Sequence, residues 1–257
     1  MPLLEARGVT IRFGGLTAVA DFNLTVEPHE LVGLIGPNGA GKTTIFNILT
    51  GVYAPTEGEI VFDGQPTAGC KPYEITARGV ARTFQNIRLF KELTVLDNVK
   101  IGGHIHYKHS GTAAVLHTNR FHHAEDEAEE RALELLRIFD LERRARDYAK
   151  NLPYGDQRRL EIARALAARP KLLLLDEPAA GLNDSETRDL METIHDVRDR
   201  FGIAILLIEH NMELVMGICE RILVLNFGKT IAQGTPEQVR ADPVVIEAYL
   251  GEPAEAV

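Results

Sequence analysis

Residues Gly36-Pro37-Asn38-Gly39-Ala40-Gly41-Lys42-Thr43-Thr44 fit the pattern G-x-x-x-x-G-K-[ST]. They lie between a short apolar run, Leu31–Ile35, and a stretch with apolar residues at Ile45, Phe46, Ile48 and Leu49. The run predicts a buried strand and the spacing after it predicts a helix over Lys42–Thr50. A glycine turn between strand and helix makes a cradle for phosphate. Without Cβ atoms, successive N–H groups can turn inward around an anion, and the following helix points its positive end at the same place. Lys42 is then placed to reach the β and γ oxygens of a nucleoside triphosphate, and the Thr43 hydroxyl to ligate Mg²⁺. Ordinary composition gives such a pattern by chance in about 1% of chains this long. The dinucleotide fingerprint G-x-G-x-x-G does not occur, which sets aside the other common phosphate cradle.

A second acidic feature completes this reading. The run Leu172-Leu173-Leu174-Leu175 ends in Asp176 and Glu177, and in open α/β sheets ligands bind at the carboxyl ends of strands. Asp176 is expected to hold Mg²⁺ through water. Glu177, one residue on, is expected to accept a proton from an attacking water. An acid pair in this position can also be a plain helix cap, with Pro178 marking the break.

The rest of the chain divides into thirds. Val9–Phe13 and Phe22–Val26 alternate, as half-buried antiparallel strands do, and Ile60–Phe62 is a further short strand. From about Asn86 to Ala168 helical spacing takes over. Glu125–Asp140 puts Ala128, Ala132, Leu135, Leu136 and Phe139 on one face, and Leu160–Ala168 is a second helix stopped by Pro170. Leu172–Leu175, Ala204–Ile208 and Ile222–Leu225 are continuous apolar runs, as for strands covered on both faces, separated by helices such as Ser185–Arg200. The expected organisation is a core from 1–85 and 169–257, split by a helical subdomain over 86–168.

Composition excludes several classes. Lys+Arg 28 against Asp+Glu 37 gives a net charge of −9, which argues against a broad basic face for nucleic acid. No apolar run approaches the ~20 residues of a membrane helix, and Glu5 and Arg7 interrupt the place of a signal sequence. Cys70 and Cys219 are too few for a disulfide framework. A soluble cytoplasmic protein is expected. His104, His106, His109, His117, His122 and His123 crowd six of nine histidines into one polar stretch; without neighbouring cysteines it reads as a solvated loop rather than a metal site.

Five further segments fall in the order of an ATP-binding-cassette ATPase, over nearly the whole chain. Gln85 resembles the family's glutamine loop, which touches Mg²⁺ and the attacking water. Leu152-Pro153-Tyr154-Gly155-Asp156-Gln157 resembles its signature segment, with Gly155 as a backbone donor to nucleotide. Gly181-Leu182-Asn183 resembles the loop after the catalytic glutamate, His210 the switch histidine at the γ-phosphate, and Phe13 the aromatic that stacks on adenine. The resemblance adds Val19 to the nucleotide-contacting residues beside Gly36, Asn38, Gly39, Ala40, Gly41, Lys42, Thr43 and Thr44. It narrows further. Arg82-Thr83-Phe84-Gln85-Asn86-Ile87-Arg88-Leu89-Phe90, Leu93-Thr94-Val95, Arg158–Ala165 and Val245–Glu252 are similar to the LivG-type subunit of branched-chain amino-acid importers. Urea-import and lipopolysaccharide-export ATPases share much of this pattern. Two positions depart from it: Pro153 replaces the signature serine, and Asn183 replaces the usual aspartate.

The resemblance implies an α/β fold: a P-loop ABC ATPase core, its mixed sheet carrying antiparallel N-terminal strands, with an inserted α-helical subdomain. It implies ATP and Mg²⁺ as cofactors, catalytic roles for Glu177, His210 and Gln85, and metal contacts from Thr43, Gln85 and Asp176. It also implies transmembrane permease subunits as partners, a second cassette (LivF-type, or a copy of this chain), indirectly a substrate-binding protein, and a peripheral place on the cytoplasmic face of the inner membrane. Arg88, Leu89 and Phe90 resemble the groove that receives a short helix from the permease. Two other functions compete: an ATP-binding regulatory module that scarcely hydrolyses, favoured by Pro153 and Asn183, and a cassette protein acting on DNA or ribosomes, which the absence of a second cassette opposes.

Overall fold

The two apolar patterns in the sequence separate into two sheets. The computed structural model describes residues 1–106 and 119–250. Its strands are β1 (Leu4–Phe13), β2 (Leu16–Val26), β3 (Leu31–Ile35), β4 (Glu57–Phe62), β5 (Gln65–Pro66), β6 (Val80–Arg82), β7 (Leu172–Asp176), β8 (Ala204–Ile208), β9 (Arg221–Asn226) and β10 (Lys229–Gly234). The alternating segments make an antiparallel sheet of order β2-β1-β4-β5. The continuous runs make a sheet of order β10-β9-β3-β8-β7-β6, parallel except for the β9–β10 hairpin.

Burial explains why these runs do not alternate. In β7, Leu172 and Leu174 face the antiparallel sheet and helix α1 (Lys42–Leu49), while Leu173 and Leu175 face the opposite layer. In β8, Ala204, Leu206 and Ile208 take the first side and Ile205 and Leu207 the second; all are fully buried. Each leucine so enclosed contributes roughly 2 kcal/mol of burial.

Between β6 and β7 the described residues form helices and no strand. Helices α3 (Val95–Gly102), α4 (Asn119–Ile138) and α5 (Tyr154–Ala167) follow α2 (Pro72–Arg78). The expected face is buried, with Ala128, Ala132, Leu135 and Leu136 on α4 and Phe139 just past its end, and from Ala132 onward it joins the apolar cluster under the parallel sheet. The later helices are α6 (Asp184–Phe201), α7 (Met212–Ile218), α8 (Pro236–Ala241) and α9 (Pro243–Leu250). No helix among the described residues is long and apolar enough to cross a membrane.

Several boundaries differ from the sequence expectation. β1 and β2 are longer because they form one hairpin, turned at Gly14 with φ +59°. Helix α5 starts at Tyr154 rather than Leu160, since Pro153 can serve as its N-cap: the carbonyl accepts from Gln157 N at 3.0 Å and no N–H is needed there. β10, α2, α8 and α9 carry no apolar spacing that marks them in the sequence. Of the histidine-rich stretch, His104 and His106 lie in a 3₁₀ turn, with His106 Nε2 2.8 Å from Ala168 O. His109 and His117, and the side chains of His122 and His123, lie outside the described residues.

Candidate active site

Because β3, β6, β7 and β8 are parallel, their carboxyl ends share one edge, where the segments after Ile35, Arg82, Asp176 and Ile208 meet. The turn after β3 is built around glycine. Gly36 has φ +150°, and a Cβ there would stand 2.0 Å from Leu225 O; Gly41 has φ +106°, and a Cβ would stand 2.9 Å from Ala18 O. Lys42 is only 6% exposed and folds over the turn, its Nζ donating to Gly36 O at 2.6 Å and Pro37 O at 2.9 Å. Burial lowers its pKa, against the raising effect of the nearby Glu177 and Asp176 charges. Asn38, Gly39 and Thr43 are exposed, Thr44 is half-buried and Ala40 is buried. Phe13 is 44% exposed and meets Tyr53 edge-on, with centroids 5.2 Å apart at 74°. Val19 is fully buried and backs Gly41, its Cγ2 3.2 Å from a Cβ built there. It supports the turn from beneath and presents no surface.

The acid pair does two different jobs. Asp176, 3% exposed, accepts from Arg82 Nη2 at 2.7 Å on Oδ2. Arg82 also donates to Asn47 Oδ1 at 2.7 Å, and its guanidinium lies 5.3 Å from the Phe46 ring centroid and 5.1 Å from that of Phe84. One carboxylate oxygen is therefore committed to a protein cation. Glu177 sits at φ +48°, an uncommon backbone conformation for this residue type, fixed by its N–H on Ile208 O at 2.8 Å. Helix α6 begins at Asp184, so Glu177 caps nothing. Its Oε2 accepts from Gln85 Nε2 at 2.6 Å and its Oε1 lies 2.7 Å from His210 Nε2. Gln85, Glu177 and His210, from three separate loops, thus converge on one carboxylate.

The signature-like segment faces elsewhere. Gly155, in the first turn of α5, lies beside Glu186 of α6, and no hydrogen bond among the described residues joins 152–157 to the turn 36–44. Asn183 N-caps α6: its Oδ1 accepts from Ser185 N at 2.9 Å and Glu186 N at 3.0 Å, and Glu186 returns the bond to Asn183 N at 2.9 Å. Asparagine caps as well as aspartate, so this departure leaves the local fold intact.

Two buried charges here went unnoticed in the sequence. Arg82 stood in plain view three residues before Gln85, but nothing in spacing says which carboxylate it meets. Glu209, 3% exposed, accepts from Ala179 N at 2.7 Å, His210 N at 2.8 Å and Asn211 N at 3.1 Å. It ties the loop after Glu177 to the loop carrying His210. Its signal was its place directly after a buried strand, next to His210.

Among the described residues no group of three or more His, Cys, Asp and Glu side chains gathers to hold a metal ion. That suits Mg²⁺ bound mainly by substrate phosphates and water with one or two protein oxygens. The Thr43 hydroxyl, Asp176 Oδ1 and Gln85 Oε1 are oxygens of the right kind, none engaged in a hydrogen bond among the described residues.

Comparison with known proteins gives the family. Residues 19–180 match the family described as ABC transporter, and residues 229–255 the one described as branched-chain amino acid ATP-binding cassette transporter. The chain is 51% identical over 251 residues to the high-affinity branched-chain amino acid transport ATP-binding protein LivG of Escherichia coli (strain K12), covering 98% of each chain. It is 37% identical over 252 residues to the lipopolysaccharide export system ATP-binding protein LptB of Haemophilus influenzae, again covering 98% of each. A solved ATP-binding cassette of an ABC transporter, in its ADP conformation, superposes with a TM-score of 0.85 at 30% identity, covering 98% of this chain and 100% of that one. With relatives this similar over nearly their whole length, the chain belongs to the ABC transporter family, on the branch of its branched-chain amino acid ATP-binding cassettes.

Proposed function

We propose that this chain hydrolyses ATP with Mg²⁺ and that its turnover drives import of branched-chain amino acids through permease subunits at the cytoplasmic face of the inner membrane. The observation that carries the chemistry is the Glu177 carboxylate held from both sides by Gln85 and His210. The similarity to LivG carries the choice of solute over lipopolysaccharide export. Lys42 and the N–H groups of the turn 36–44 bind the triphosphate, with Phe13 on the adenine. Magnesium, held by Thr43, Asp176 and Gln85, would supply charge neutralisation on the phosphates. Glu177 orients the attacking water and takes its proton, and His210 and Gln85 fix the carboxylate in place.

A second cassette, LivF-type or a copy of this chain, faces the turn 36–44 and receives Gly155 in return. The placement of residues 152–157 away from their own phosphate turn supports that exchange. The division into a core (1–85, 169–257) and a helical subdomain (86–168) belongs to the same reading. A cavity of about 380 Å³ lined by Val52, Ile75, Phe84, Phe90, Ile101 and Arg164 is the surface for the permease. Leu89 is 9% exposed and packs into the core, so Phe90, which lines that cavity, rather than Leu89 carries the contact. A substrate-binding protein joins only through the permease.

The test is Glu177→Gln in the assembled transporter. Hydrolysis should fall by a factor of about 10² or more, the scale of a general base, while ATP still binds. Hydrolysis at the unaltered rate overturns the assignment. Uptake of radiolabelled leucine by proteoliposomes holding the assembled transporter tests the solute, and ATP-driven turnover without uptake refutes it.

A further inference from the structure

We infer that Arg158 and Glu161 are positioning residues that lock the glutamine loop to the helix carrying the signature-like segment, so that Gln85 and α5 move as one body. The inference rests on the reading of Gln85 and Glu177 as the catalytic pair. Arg158 is 3% exposed and Glu161 1% exposed, both on one face of α5. Arg158 Nη1 donates to Phe84 O at 2.9 Å, and its Nη2 to Gln85 O at 2.5 Å and to Tyr154 Oη at 3.0 Å. Tyr154 in turn donates to Ala180 O at 2.9 Å, which braces the guanidinium against the loop after Glu177. Glu161 Oε1 accepts from Arg88 N at 3.1 Å, Glu161 Oε2 lies 3.5 Å from Arg158 Nη1, and Arg164 donates to Arg88 O. One helix therefore grips the backbone at 84, 85 and 88, while the Gln85 side chain holds Glu177.

Nothing in stability requires this arrangement. Buried charge pairs cost several kcal/mol per ion in lost hydration, and apolar residues of similar volume commonly hold a fold as well. Burial also raises the Glu161 carboxyl and lowers the Arg164 guanidinium in pKa, a continuing cost. What the pair provides is direction. A planar guanidinium fork can hold two successive carbonyls at fixed angles, which an ammonium cannot. Helix α5 begins at Tyr154, next to Gly155. A shift of that end when the other cassette's nucleotide binds is therefore carried through Arg158 to Gln85, and from Gln85 to Glu177.

The test measures kcat and KM for ATP, with Tm, in the assembled transporter bearing Arg158→Lys, Glu161→Gln, Gln85→Ala, or Gln85→Ala combined with either of the first two. Lysine keeps the charge and loses the fork; glutamine keeps an acceptor for Arg88 N but removes the charge that aligns Arg158 and Arg164. Each should lower kcat roughly tenfold or more, as small misplacements of catalytic groups do, with KM changed less than about twofold. Each combined variant should be no slower than Gln85→Ala alone, because a residue acting through another adds nothing once that one is gone. Multiplying losses, or an unchanged kcat in a folded variant, overturn the positioning role and leave the catalytic pair standing. An unchanged kcat for Gln85→Ala overturns the catalytic pair itself, and the positioning role with it. Glu161→Gln decides the matter should Arg158→Lys fail to fold.

Discussion

Arg82→Leu isolates the charge balance of the site. Asp176 is 3% exposed and, among the described residues, its cationic hydrogen-bond partner is Arg82, at 2.7 Å, with side-chain exposures of 7% and 5% across the pair. Removing one member of a buried pair typically costs about 3–5 kcal/mol, because the survivor keeps its desolvation cost without its partner. Lys42, whose ammonium also feels Asp176, offsets part of that, which places the cost near the low end, about 3 kcal/mol. The leucine replaces some of the packing that Arg82 has with Phe46 and Phe84. For a chain of this size that loss is a fall in Tm of roughly 6–12 °C, read by circular dichroism or dye-based melting. The double variant Arg82→Leu with Asp176→Leu supplies the control: with both charges gone, most of the loss should be recovered. Mg-ATP should stabilise the single variant more than the unaltered protein, since the cation restores the counter-charge that Asp176 has lost. A fall below about 2 °C, or a double variant less stable than the single one, refutes the reasoning.

Lys42→Ala should weaken Mg-ATP binding without unfolding the chain, because among the described residues Nζ bonds only to the turn's own carbonyls; unchanged affinity in a fluorescent-nucleotide titration contradicts its role. Gly36→Ala should abolish nucleotide binding and cost at least about 1–3 kcal/mol, since the methyl would stand 2.0 Å from Leu225 O; chemical denaturation measures the second figure. Burial pushes the Cys219 thiol from 9.0 up to about 12, so at pH 8 a thiol reagent should label half-buried Cys70 and spare Cys219 until the chain unfolds. The sign of the linkage follows: the folded pKa is raised, so the neutral thiol's contribution is complete below pH 9.0 and is lost as pH rises towards 12. Melts between pH 8 and 11 that show no decline for the unaltered protein relative to Cys219→Ala refute it.

The parts of the molecule that were legible in the sequence are those governed by local rules. The phosphate turn could be read because glycine spacing and an adjacent strand and helix are local properties, and β7 and β8 because strands covered on both faces cannot alternate. The acids at 176 and 177 were recognisable by their place at a strand end. Which of them bonds to what was not, since Arg82 lies 94 residues before Asp176 and Gln85 lies 92 before Glu177. Such partnerships are set by strand order, here β6 beside β7. Helices α8 and α9 escaped for a different reason: α8 has six residues with one buried apolar position, Val239, and α9 runs Val244, Val245 and Ile246 consecutively, so neither shows helical spacing, and caps such as Thr235 with Gln238 are their local trace.

The two departures from the family pattern touch structure less than their chemistry suggests. Pro153 occupies the N-cap, a helix-end position where a missing N–H is harmless, and Gly155 keeps its own N–H in the first turn of α5. Asn183 makes both of the cap bonds an aspartate would. Neither residue hydrogen-bonds Gln85, Glu177 or His210, which are fixed to one another from three other loops. The Glu177 carboxylate, held between two donors, is therefore untouched by either change. On the proposed reading the signature changes bear on how the other cassette's nucleotide is gripped, while Gln85, Glu177 and His210, the residues assigned to this chain's own nucleotide, keep their bonds to one another.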